Sequence, residues 1–224
     1  MLEKLLIFDY NTYYPKIISF FCKNNDKMNF SSCFYCDIHP IGKYFKDENE
    51  PRLTVDLDHF YPKSIYSLFG LSLYNFIPSC PLCNRNMKNA HNKRMLYPFT
   101  NGFDQNVHFK FAMNDSSDLD TLLGNNEDFD LLIENNENGL SKLEVDNTIK
   151  VFHLEEIYQS HKNVVSDYIK KNRVKNTPYF QDVMEQLNIA ESEQLSLLYG
   201  ADYDDFNNRP LSKLLADIMH QKEF

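Results

Sequence analysis

The chain has 224 residues, 42% hydrophobic, 14% aromatic and 25% charged; this is a globular composition that excludes disorder throughout and fits one domain with an extension or two small domains. No apolar run reaches the roughly 18 residues of a membrane-spanning helix, and the first nine residues lack a signal-peptide pattern, so the expectation is a cytoplasmic protein without membrane contact. The net charge of −9 argues against nucleic acid only until it is located. Residues 115–146 hold ten acids and one base, whereas residues 1–114 hold thirteen bases and ten acids. The imbalance therefore resides in one acidic middle segment, a candidate for repelling DNA or docking a basic partner and equally explicable as a solvated loop region, and the N-terminal half is mildly basic.

In chain order, Tyr14, Ile17, Ile18, Phe21 and Cys22 recur at helical spacing, which predicts a helix over 12–24 with Pro15 in its first turn and Cys22 as a core thiol. Residues 43–52 are polar and read as a loop. Residues 53–60 alternate apolar and polar with β-branched residues in the middle and predict a strand ended by Pro62. Residues 65–73 suggest a short helix, and 75–79 a loop or short strand. Residues 84–94 have helical composition with four bases and no acid. Strands are expected over 107–113 and 128–134, with a turn at Asn138-Gly139 and a new ordered stretch opening at Asn147 or Thr148. The clearest helix is 154–171, with Leu154, Ile157, His161, Val164, Val165 and Tyr168 on one face; His161 there reads as a core histidine. Helices are also expected at about 179–188, 191–199 and 210–221, the last with Pro210 in its first turn.

Five cysteines in a chain of cytosolic character argue for metal or free thiols over a disulfide framework. Two Cys-x-x-Cys pairs, Cys33/Cys36 and Cys80/Cys83, are separated by 43 residues. Each pair converges two thiolates on one ion while the intervening turn aims backbone amides at the sulfurs, and two pairs fill the tetrahedral shell of a structural Zn²⁺.

Between and after these pairs lie Asp58-His59 at the end of a strand, Asn75, Asn84 directly after the last cysteine, and Lys88 four residues on. Taken singly, each has a structural explanation: an ion pair at a strand end, turn and cap asparagines, a solvated helix face. Taken in order, the stretches Val-Asp-Leu-Asp-His-Phe-Tyr-Pro-Lys-Ser (55–64) and Leu-Tyr-Asn-Phe-Ile-Pro-Ser-Cys-Pro-Leu-Cys-Asn-Arg-Asn-Met-Lys (73–88) resemble the HNH endonucleases of the four-cysteine zinc subtype, over about a quarter of the chain. The resemblance implies an α+β protein with a ββα-metal core beside a structural zinc site, surrounded by helices: a nuclease core over 1–105, then a mixed and finally helical extension over 106–224 packed on it. It implies a metal-dependent hydrolase of DNA phosphodiesters. Asp58 and Asn84 would ligate a catalytic Mg²⁺ or Mn²⁺, and His59 would be the general base. Asn75 would bond backbone near His59. Asp56 shares a strand face with Asp58 and is a candidate to support it. Lys88 stands where some HNH sites carry another metal-binding histidine and would contact phosphate; His91, one turn on, is the weaker substitute.

Lys63, Arg85, Lys93 and Arg94 are the expected contacts to nucleic acid, with a second basic set at Lys162, Lys170, Lys171, Arg173 and Lys175 that equally fits a solubilising face. No base-reading module is recognisable, so double-stranded DNA with weak sequence preference is the expected substrate. The layout also resembles, more weakly, the HNH nucleases of bacterial anti-phage systems of Septu type, which work with an ATPase subunit. The alternatives are an RNA-cutting nuclease at the same site, or a non-catalytic zinc-stabilised module that binds nucleic acid or a partner.

Overall fold

The computed structural model describes residues 10–28, 31–47, 51–100, 107–135, 142–190, 193–194, 197–198 and 209–221. The architecture is α+β, with helices and three two-stranded antiparallel sheets among the described residues. Contacts divide the chain into two compact units, Met1–Phe103 with Leu140–Phe152, and Asp104–Gly139 with His153–Phe224. No helix among the described residues is long and apolar enough to cross a membrane.

The first unit opens with α1 (Tyr10–Met28). Because this helix starts at Tyr10, Pro15 lies in its second turn rather than its first. Its apolar stripe, Ile17, Ile18, Phe21 and Cys22, packs with Ile41, Leu57 and Phe76 in one buried cluster; Cys22 is the core thiol that its neighbours suggest, and burial pushes its pKa up. The single strand expected over 53–60 is two strands. β2 (Pro51–Leu53) pairs with β1 (Lys43–Phe45), and β3 (Asp56–His59) pairs with β4 (Phe76–Ser79). The break falls at Thr54–Val55, where Thr54 Oγ1 accepts from Gly42 N at 2.8 Å and ties the bend to the preceding chain.

Between β3 and β4 two 3₁₀ turns, Ser67–Phe69 and Leu73–Asn75, replace the expected helix. After β4 comes a π-helix, Leu82–Lys88, closed by a 2.8 Å bond from Asn89 N to Asn84 O. Such wide turns are rare and recur at functional sites. Asn89 has a positive φ of 46° with ψ −122°, a backbone conformation outside the helix that ends it six residues short of the expected Arg94. The helix α3 (Lys142–Val151), opening before Asn147, belongs to this unit; its Thr148 Oγ1 accepts from Leu96 N at 2.9 Å.

The second unit is a hairpin of β5 (Val107–Met113) and β6 (Phe129–Asn135) with helices packed on it; the one-turn helix α2 (Leu119–Leu122) lies between the strands. The helix expected over 154–171 is two, α4 (Leu154–Gln159) and α5 (Lys162–Lys175), with half-buried His161 at their junction against the Tyr158 ring. The helix α6 (Pro178–Gln186) matches the expected one closely, and α7 (Ser212–His220) opens after Leu211, so Pro210 precedes it and does not lie in its first turn; the one expected over 191–199 falls mostly outside the described residues, as does the turn at Asn138-Gly139. Both hairpin edges are closed by glutamines. Gln159 exchanges bonds with Leu131 N and O (3.3 and 2.7 Å), and Gln221 with Phe111 N and O (both 3.0 Å). Edge backbone left open would template pairing with another chain.

Candidate metal centre and the residues around His59

Cys33, Cys36, Cys80 and Cys83 come together, all buried, with their four Sγ atoms within 4.8 Å of one another. A tetrahedral zinc with Zn–S bonds of about 2.3 Å sets its sulfurs about 3.8 Å apart, so the cluster is near the size of a filled site. Two local turns shape it: Asp37 N donates to Cys33 O (2.8 Å) with Asp37 at φ 53°, and Asn84 N donates to Cys80 O (3.0 Å). Backbone amides face the sulfurs, Cys80 N to Cys33 Sγ at 3.2 Å and Cys83 N to Cys80 Sγ at 3.4 Å. Hydrogen bonds from Cys33 and its neighbours drive Cys80 toward thiolate, and hydrogen bonding with Cys33 pushes Cys36 and Cys83 up. Burial raises Cys33, but bonds from Cys36 and Cys83 more than offset it and leave it lowered. Four thiols so crowded cannot share their protons evenly, and a divalent cation removes the conflict by binding all four as thiolates. The donor set fits a structural metal ion such as zinc.

Tyr35, between the first two cysteines, stacks on Phe152 with centroids 4.4 Å apart and donates from Oη to Asp58 Oδ2 at 2.6 Å. Lys88 Nζ approaches the same oxygen at 2.8 Å and donates to His59 O at 2.7 Å. Lys88 is 0% exposed and Asp58 4% exposed, so this ion pair is buried. That placement corrects the expectation of a phosphate contact at Lys88: its ammonium points inward and neutralises Asp58. The sequence offered no signal for Tyr35, since its partner lies 23 residues away.

Asn84 does not join Asp58. Its Nδ2 donates to Asp56 Oδ2 at 3.1 Å, and Arg85 grips both oxygens of Asp56 at 2.7 Å each. The arrangement therefore does not fit a catalytic cation held jointly by Asp58 and Asn84. Among the described residues the four cysteines are the one group of three or more Cys, His, Asp or Glu placed to share an ion.

His59 is half-buried and packs on Phe76, centroids 4.6 Å apart. Its Nε2 lies 3.0 Å from Gly70 O. A carbonyl oxygen can only accept, so Nε2 carries the proton and the neutral ring keeps its lone pair on Nδ1. Burial lowers the His59 pKa, with Lys63 and Lys88 adding to the shift while Gly70 O and Asp58 oppose it. Buried Asn75 holds the loop that follows. It accepts from Tyr61 N (2.8 Å) and donates to Tyr61 O and Phe69 O (3.0 Å each). Of the expected nucleic-acid contacts, Lys63 is exposed and acts electrostatically on His59. Lys93 is exposed, Arg85 is bound to Asp56, and Arg94 pairs with Glu144 at 2.5 Å.

Comparison of the chain with protein-family models, with curated proteins and with solved structures returns no match.

Proposed function

We propose that the first unit is a zinc-stabilised phosphodiester hydrolase of HNH type acting on DNA, with His59 as general base. The observation that carries this reading is the tautomer of His59: Gly70 O holds the proton on Nε2, so Nδ1 is the ring nitrogen that carries the lone pair a general base needs. The lowered pKa keeps the ring neutral near pH 7. The order strand β3, strand β4, helix Leu82–Lys88, with the helix leaving the cysteine cluster, agrees with a ββα core. Lys63 beside the histidine supplies positive charge for a phosphate.

The test is nicking of supercoiled plasmid by the full chain, with and without Mg²⁺ or Mn²⁺, and zinc measured on the same sample. About one zinc per chain, with cleavage that falls at least about 100-fold in His59→Ala, supports the reading. One observation favours a second reading. Asp58 is closed off by Lys88 and Tyr35 and stands apart from Asn84, as suits a zinc module that kept the fold without the chemistry. Zinc-loaded protein that cuts under no metal condition selects the module. A role in anti-phage defence with an ATPase subunit extends the nuclease reading, and co-purification from the native operon tests it.

A further inference from the structure

The segments that flank His59 and its Gly70 contact line an open pocket of about 240 Å³, formed by Tyr61, Phe69, Ser72, Tyr74, Asn75 and Tyr97. That is below the roughly 300–1,000 Å³ of pockets enclosing drug-sized ligands; it has room for one ring system. Its walls are aromatic and exposed: Tyr61 and Phe69 are each 45% accessible and Tyr74 80%. The backbone that carries them is held in place. Asn75 bonds the backbone of Tyr61 and Phe69, the rings of Tyr61 and Phe69 meet with centroids 5.7 Å apart, and Tyr97 Oη donates to Tyr74 O at 2.5 Å. The pocket is tied to the histidine through the chain, since Tyr61 follows His59 by two residues and Phe69 precedes the Gly70 carbonyl that orients it.

Lys63 acts electrostatically on His59 and its Cβ lies against Gly70, the residue after Phe69. Asn92 Nδ2 donates at 3.1 Å to Oη of Tyr66, whose ring meets those of Tyr61 and Phe69. Aromatic faces with neighbouring cations are how proteins hold unstacked bases and the phosphates beside them.

We propose that this pocket receives one unpaired nucleobase of a DNA strand, stacked on the tyrosine wall, with the adjoining phosphate directed to His59. The proposal rests on the nuclease reading for its orientation toward His59 and narrows the substrate to DNA with an unpaired or single-stranded base at the cut. A base held in a duplex stack cannot enter.

The test is binding, without added Mg²⁺ or Mn²⁺, of the zinc-loaded full chain to a single-stranded oligodeoxynucleotide of about 12 nucleotides carrying one 2-aminopurine, read by anisotropy and quenching. The expected result is single-strand affinity at least about tenfold above the matching duplex. Tyr74→Ala, a change at an exposed side chain, should weaken it about tenfold, Tyr74→Phe should leave it intact, and Tyr179→Ala on the second unit should have no effect. Equal binding of duplex and single strand, with Tyr74→Ala silent, overturns the proposal while plasmid nicking by His59 can still stand. Single-strand binding that needs Tyr74 in a protein that never cuts upholds the pocket and sinks the nuclease reading alone. Tighter binding of the matching oligoribonucleotide overturns the assignment to DNA.

Discussion

Replacing Lys88 with methionine keeps an unbranched side chain one atom shorter and removes its charge from a place that water does not reach. Two bonds disappear, the 2.8 Å ion pair to Asp58 Oδ2 and the 2.7 Å bond to His59 O. Asp58, 4% exposed, is left as a carboxylate with Tyr35 Oη as its remaining neutral donor on that oxygen. Removing one partner of a buried pair costs about 3–5 kcal/mol because the other charge stays desolvated, against about 0–1 kcal/mol for a surface pair. For a unit of this size each kcal/mol is about 4–8 °C in Tm, so the variant should melt at least about 12 °C below the parent. Urea unfolding of the zinc-loaded protein, followed by circular dichroism, measures the cost. The double variant Asp58→Asn/Lys88→Met restores a neutral acceptor for Tyr35 and should recover at least about 1 kcal/mol relative to Lys88→Met. A loss under about 1 kcal/mol, with no recovery in the double variant, would refute the argument from burial.

Three other outcomes follow from the same contacts. Cys80→Ser should drop zinc from about one per chain to well below half by mass spectrometry under native conditions, and a chelator should lower the parent's Tm toward that of the variant. Asn75→Ala removes three hydrogen bonds holding the loop after His59. It should cost about 1–3 kcal/mol by urea titration and speed hydrogen exchange at Tyr61. In the second unit, Asp217→Ala removes the 2.6 Å ion pair with buried Lys213 and the 2.8 Å acceptor of Phe109 N. A loss of about 3 kcal/mol or more is expected, and an unchanged Tm would contradict it.

The cysteine quartet was readable because each pair fixes its own turn, and the chain needs only to bring the two turns together. Around His59 the alternation marked β3, but its separation from β2 and the 3₁₀ turns in place of the helix expected over 65–73 were not readable. What long-range contacts decide was not readable. Thr54 ties the bend of the strand to Gly42, Asn89 stops the helix with a positive φ outside the helical region, and Tyr35 reaches an acid that sequence spacing does not connect to it. Lys88 misled because a lysine among Arg85, Lys93 and Arg94 looks like part of a solvated basic face. Its burial becomes intelligible only when Asp58 and the His59 carbonyl converge on its Nζ. Asp56 and Asn84 met for a related reason: the wide turn of the π-helix directs Asn84 to the start of β3 rather than to its end.

The central claim, that His59 acts as a base through a neutral ring fixed by Gly70, is tested most directly by the pH profile of plasmid nicking. The lowered pKa predicts activity that falls as pH drops through a midpoint below the ordinary histidine value of about 6.5, and cleavage by His59→Ala at least about 100-fold lower at every pH. Cleavage by His59→Ala equal to the parent, or a parent profile with its acid limb centred above pH 6.5, would contradict the account.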